Sequence, residues 1–246
     1  MKGLSERRTI RRYAEKTVTD ELLNELLMLS ERTQTMGNLQ LYSVVVTRDE
    51  AMKQALAPAH FNQPMVTQAP VVLTFCADFN RTTRWCEERN ADPGYNNFLS
   101  FLNAATDALL YTQTFCNLAE EAGLGLCYLG TTLYMPQLII DTLKLPRLVM
   151  PVATITLGYP AEEPVQPERL PLSSLIHSET YTDYSAQAID LYYNEKERLP
   201  ENQHFVEING KETLAQVFTD LRYTRKDNIA MSANYMETLK RQGFLD

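Results

Sequence analysis

The sequence predicts an α+β fold on three observations. Runs rich in β-branched residues are separated by amphipathic helical stretches, but without the regular alternation of a doubly wound parallel sheet. The longest helical stretch is apolar on more than one side, as a helix buried on several sides would be. No apolar run approaches the roughly 18 to 20 residues that a membrane-spanning helix needs. One domain over 1–246 is expected, with a proline-rich arm over 160–171 and a helical extension over 184–246.

In chain order, Thr19 precedes Asp20, Glu21 and the run Leu22, Leu23, Leu26, Leu27. The threonine can accept from an early backbone N–H and the acids sit at the positive end of the dipole, so a capped helix ending near Arg32 is predicted. The polar stretch 33–40, broken by Gly37, reads as a loop. Residues 42–47 (YSVVVT) read as a first strand and 50–56 as a short helix ended by Pro58. Residues 70–77 form a second strand, a helical turn runs from Arg84 to Arg89, and Asp92-Pro93-Gly94 is a turn. The long helix covers 98–122 and is stopped by Gly123. A short strand or strand-like turn over 124–129, a helix over 137–143 and an alternating strand over 152–157 follow. The arm holds four of the twelve prolines and is expected to lie extended. Beyond it come a tyrosine-bearing helix over 184–198, a polar loop over 199–213 and a largely helical stretch over 213–244.

A net charge of -8 argues against nucleic-acid binding, which needs a basic face. Charges at Lys2, Glu6 and Arg7 leave no secretory signal, and the four cysteines show no CxxC pair, so a reduced cytoplasmic protein without membrane association is expected. His60, His177 and His204 form neither a metal-ligand pattern nor a nucleophile motif with serine or cysteine. Gly123-x-Gly125 fails as a dinucleotide fingerprint: it follows a helix, and Tyr128 stands where the third glycine belongs. No phosphate-loop motif is present.

Against this acidic background, Arg7-Arg8-Thr9-Ile10-Arg11-Arg12-Tyr13 places four arginines in seven residues. Guanidinium groups kept together call for an anion, and the rigid fork suits phosphate. The residues alone equally allow a solvated arm. A chain short of reactive groups of its own would borrow its chemistry from an organic cofactor. The backbone at Tyr128, Leu129, Gly130 and Thr131, where glycine lets a flat ring approach, suits such a group.

These motifs resemble the FMN-dependent nitroreductases, specifically the branch of NADPH-using, oxygen-insensitive nitroreductases and flavin reductases. Arg7-Arg8-Thr9-Ile10-Arg11, Phe75-Cys76-Ala77-Asp78-Phe79-Asn80-Arg81, Gly123-Leu124-Gly125 with Tyr128-Leu129-Gly130, and Leu157-Gly158-Tyr159-Pro160 with Arg169-Leu170-Pro171 follow the branch in order. The resemblance implies a mixed sheet flanked by helices in an intertwined homodimer, with two FMN molecules at an interface that includes the long helix. It implies that Arg7, with Arg8 in a lesser role, and Thr9 hold phosphate and ribityl chain. Arg11 would lie by the N1–C2=O edge, where a cation stabilises charge on the reduced ring. Gln63 would contact the pyrimidine, Thr35, Met36 and Gly37 would line the site, and the Gly130 N–H would reach N5, flanked by Tyr128, Leu129 and Thr131. Arg169 would reach the phosphate. Pro167 stands where the branch carries a lysine, and Arg7 in place of histidine would offset that loss of charge.

The resemblance further implies ping-pong hydride transfer from NAD(P)H through flavin N5 to a nitroaromatic, quinone or free flavin, with no catalytic side chain and no metal. Arg222, Arg225 and Lys226 are the candidates for the 2′-phosphate of NADPH, against the plain alternative of a solvated helix end. A non-catalytic flavin store, carrier or redox sensor would use the same arginines.

Overall fold

The computed structural model describes residues 2–245. By internal contacts the chain divides into two units, one of residues 1–165 and 231–246 and one of 166–230, with the second boundary falling inside a helix.

The first unit opens with α1 (Lys2–Ser5) and α2 (Asp20–Ser30). The Thr19 hydroxyl accepts from the Leu22 N–H at 3.2 Å and starts α2 where the sequence places it. Then come β1 (Tyr42–Thr47), α3 (Glu50–Leu56), a 3-10 turn (Ala57–His60), α4 (Pro64–Gln68), β2 (Val71–Asp78) and α5 (Asn80–Glu87). The long α6 (Phe98–Glu121) leads into β3 (Gly125–Leu129), a 3-10 turn (Gly130–Leu133), α7 (Pro136–Leu143) and β4 (Val149–Gly158). Gly123 ends α6 at φ +80, and the Leu124 N–H turns back to the Ala119 carbonyl at 2.9 Å.

The strands pair in the order β1-β2-β4-β3. Every pairing among these named strands is antiparallel, where the resemblance led us to expect a mixed sheet. The central β2 and β4 are buried along their whole length, so they read as continuous rather than alternating apolar runs. Each face is covered by helices. Leu126 joins the core that includes Leu23, Phe75, Ala108 and Phe115 from α2, β2 and α6. Its strand neighbours Cys127 and Leu129 point the other way, into a smaller cluster with Leu56, Val66 and Ile139 from α3, α4 and α7.

The expected all-round burial of α6 is half met. Phe101, Ala104, Ala108, Tyr111 and Phe115 are buried, whereas Leu99 is 67% exposed and Phe98, Leu102, Leu109 and Leu110 lie at 42–44%.

The second unit contains α8 (Ala186–Arg198), α9 (Pro200–Ile208), α10 (Leu214–Val217) and the first residues of α11 (Arg225–Arg241). The polar loop expected over 199–213 is largely the helix α9. Pro200 occupies its first turn, where a missing N–H costs nothing, and so initiates the helix. The helix expected over 213–244 is interrupted: α10, with a Thr213/Gln216 capping box, passes into a wide π turn over Phe218–Arg222 and breaks at Tyr223 before α11. At the far end of α11, in the first unit, Gln242 Nε2 donates to the Val149 carbonyl at 2.6 Å and the Phe244 ring is fully buried. Among the described residues no helix is long and apolar enough to cross a membrane.

Candidate active site

The arginine segment is not a free arm. The Ile10 N–H donates to the Leu126 carbonyl at 2.9 Å, fastening the segment to β3. A Cβ at Gly125 would come within 2.6 Å of Ile10 Cγ1, so only glycine admits that approach. The Tyr13 hydroxyl reaches the Ile10 carbonyl at 2.9 Å and Thr156 Oγ1 at 2.6 Å, and burial pushes its ionisation well up. The Ala161 N–H donates to the Arg12 carbonyl at 3.0 Å, and Glu162 Oε1 accepts from the backbone N–H of Arg11 and Arg12 at 2.6 and 3.0 Å. These bonds fix the main chain from Ile10 to Arg12 between β3 and the residues that follow β4.

Of this segment Arg7, Arg8 and Ile10 border a cleft of about 390 Å³, also lined by Glu6, Glu120 and Glu163, whereas Thr9 and Arg11 are not part of its lining. Arg7 Nε lies 3.4 Å from Glu120 Oε1, and Arg8 Nη1 lies 3.3 Å from Glu163 Oε1. Burial raises the Glu120 carboxyl and the Arg7 guanidinium opposes the rise. Buried Arg8 Nε and Glu120 Oε2 have no hydrogen-bond partner among the described residues. Arg11 lies beside Cys127 and opposes the upward push that burial gives this thiol. Thr9 is half-buried.

A second group forms where two turns meet. Gln63 is half-buried at the start of α4, and its N–H donates to the His60 carbonyl at 3.2 Å. The His60 ring is fully buried, with Nδ1 2.9 Å from Thr131 Oγ1. A Cβ added at Gly130 would meet nothing within 4 Å, so the backbone there faces open space, as approach by a flat ring requires. Tyr128 is 43% exposed, whereas Leu129 and Thr131 are buried. Phe61 stacks on Tyr134 with ring centroids 6.1 Å apart.

The third group is the loop of Thr35, Met36 and Gly37. Asp107, on α6 and only 2% exposed, accepts from the Thr35 hydroxyl at 2.5 Å, the Met36 N–H at 2.9 Å and the Leu41 N–H at 3.2 Å. The Thr35 oxygen also accepts from the Gln40 N–H at 3.0 Å, so much of its bonding capacity goes to holding the loop. The left-handed backbone of Gly37, Asn38 and Gln40 is sustained by these bonds.

The remaining candidates lie in the second unit. Arg169 donates to the carbonyls of Pro167 and Glu168 at 3.3 and 2.9 Å. Arg222 stacks over the rings of Phe205 and Phe218 at 4.7 and 5.3 Å, while Arg225 and Lys226 are exposed at the start of α11.

Sequence reasoning missed Asp107, His60 and Glu120. For Asp107 a signal existed: it is a lone acid within the apolar stretch 104–112. The other two carried none, because their partners are remote in sequence.

The nitroreductase family model matches residues 4–159. A Bacillus subtilis protein named FMN reductase (NAD(P)H) is 30% identical over 253 residues, which cover 99% of this chain and 97% of that one. A Salmonella typhimurium protein named oxygen-insensitive NADPH nitroreductase is 31% identical over 185 residues, 75% of each chain. A crystal structure of a Bacteroides fragilis protein described only as an oxidoreductase matches at a TM-score of 0.99 and 63% identity, covering 100% of both chains.

Proposed function

The chain belongs to the nitroreductase family, and from that premise we propose that it is an FMN-dependent oxidoreductase. It takes reducing equivalents from NAD(P)H and passes them to an electron-poor acceptor such as a nitroaromatic, a quinone or free flavin. The chemistry FMN supplies is two-electron exchange by a ping-pong course: hydride acceptance at N5 from the nicotinamide, then delivery to the acceptor.

The observation that carries this reading is the pinned arginine segment combined with the open backbone at Gly130. Arg7 and Thr9 are the residues to hold the phosphate and ribityl chain, and the unpartnered Arg8 Nε is a buried donor that an anion's oxygen would satisfy. Arg11 is the cation for the N1–C2=O edge, Gln63 the contact for the pyrimidine and Gly130 N–H the donor for N5. Thr35, Met36 and Gly37 border the ring from the loop that Asp107 holds. A phosphate on Arg7 competes with Glu120, so its affinity carries the cost of that exchange.

The exposed leucines of α6 support a homodimer, because a second copy laid on them would remove apolar surface that the single chain leaves wet. The four free cysteines, three of them buried, suit the reducing cytoplasm.

The deciding experiment is an anaerobic titration of the yellow purified protein with NADPH and then with an acceptor. Stoichiometric bleaching and recovery of the flavin bands are expected, and a flavin store or carrier would stay oxidised. Arg7→Gln is expected to weaken FMN binding roughly tenfold or more while leaving riboflavin, which has no phosphate, unaffected.

A further inference from the structure

His60 has no part in the chemistry above, yet it joins two of the turns assigned to the flavin. It is the last residue of the turn Ala57–His60 and is fully buried, and its turn neighbours Ala57 and Ala59 belong to the apolar cluster of Leu56, Val66, Leu129 and Ile139. Packing alone would be served as well by a leucine. The imidazole instead leaves a buried Nε2 without a partner among the described residues, which costs stability, and makes a directional bond from Nδ1 to Thr131 Oγ1 at 2.9 Å.

That bond links the turn Ala57–His60 to the turn Gly130–Leu133. On one side, Phe61 and Asn62 are both left-handed, at φ 55 and 53, and the Asn62 N–H donates to the Ala57 carbonyl at 2.9 Å. This tight turn transmits the position of the imidazole to Gln63, whose N–H bonds the His60 carbonyl at 3.2 Å. On the other side, Thr131 follows Gly130 directly, so holding the threonine hydroxyl orients the Gly130 N–H.

We propose that His60 is a positioning residue for the flavin, using its bond to Thr131 to fix the pyrimidine contact at Gln63 relative to the N5 contact at Gly130. The inference rests on the FMN reading above. Burial holds the imidazole's pKa down at about 4, so the ring is neutral and the tie persists throughout the neutral range. Either tautomer makes the bond, since the hydroxyl can donate or accept.

The test compares wild type, His60→Leu, Thr131→Val and Thr131→Ser, each purified with FMN. Readouts are the FMN dissociation constant, the flavin absorption bands and reduction potential, and the melting temperature of the FMN-free form. In His60→Leu the FMN dissociation constant is expected to rise roughly tenfold, as a small misplacement of a contact requires, with shifted bands and a shifted potential. Its melting temperature should hold or rise. Thr131→Val should reproduce the flavin changes, Thr131→Ser should keep wild-type values, and the double variant His60→Leu/Thr131→Val should bind FMN no worse than the weaker single.

The inference is overturned if His60→Leu keeps the wild-type bands, potential and affinity, or if it melts lower in proportion to its loss of flavin. Should His60→Leu not fold, the Thr131→Val and Thr131→Ser pair decides alone: equal flavin properties refute the tie. Failure of the FMN reading itself looks different, because wild type would then bind no flavin, and the role of His60 would fall with it.

Discussion

Lowering the pH from 7 to 5 is expected to cost the folded protein about 2 kcal/mol through His60 alone. Burial lowers the pKa of this imidazole from 6.5 to about 4. Between those values the unfolded chain binds a proton that the folded chain refuses, so stability is lost as pH falls through the unfolded pKa. Fully expressed, below pH 4, the gap is worth about 3 kcal/mol, and roughly two thirds of it is already expressed at pH 5. Other groups titrate in the same range. Glu120, with its carboxyl raised by burial, pulls the opposite way, gaining a proton more readily when folded. Comparing wild type with His60→Leu cancels such contributions, because only the histidine differs. The assay is urea unfolding of the FMN-free protein at pH 7 and pH 5 for both chains. Wild type should lose about 2 kcal/mol more than the variant between the two conditions. Equal losses would show that His60 is protonated in the folded state near its ordinary pKa, and the account of a neutral buried ring would fail.

Three further outcomes follow from individual contacts. Gly125→Ala drives a Cβ to 2.6 Å from Ile10 Cγ1, so it should cost about 1 to 3 kcal/mol in urea unfolding and weaken FMN binding as the arginine segment lifts from β3. Asp107→Asn strands at least one buried N–H or hydroxyl of the 35–41 loop; a loss of about 2 kcal/mol by urea unfolding, with earlier proteolytic cleavage in that loop, is expected. If the exposed Arg225 meets the 2′-phosphate, Arg225→Ala should raise KM for NADPH roughly tenfold and leave NADH unchanged. Steady-state kinetics with both nicotinamides settle it, and equal values for the two in wild type and variant remove the role.

Much of this protein was readable from local signals. The β-branched runs at 42–47 and 70–77, the Thr19 cap, the Gly123 stop and the arginine cluster each depend on neighbours within a few residues, where propensity, capping and charge density act. Pro200 was a local signal too, and the polar sequence around it concealed a helix start. What the sequence determined by itself was therefore most of the element types, the family and the crowding of four arginines into seven residues. Only the tertiary structure decided what holds that segment and the loops beside it. The Thr35–Asp107 and His60–Thr131 bonds join residues 72 and 71 apart, and Gln242 reaches back 93 residues to β4. A buried polar group takes its role from whichever distant donor or acceptor the fold brings within about 3 Å, and no local pattern encodes that meeting.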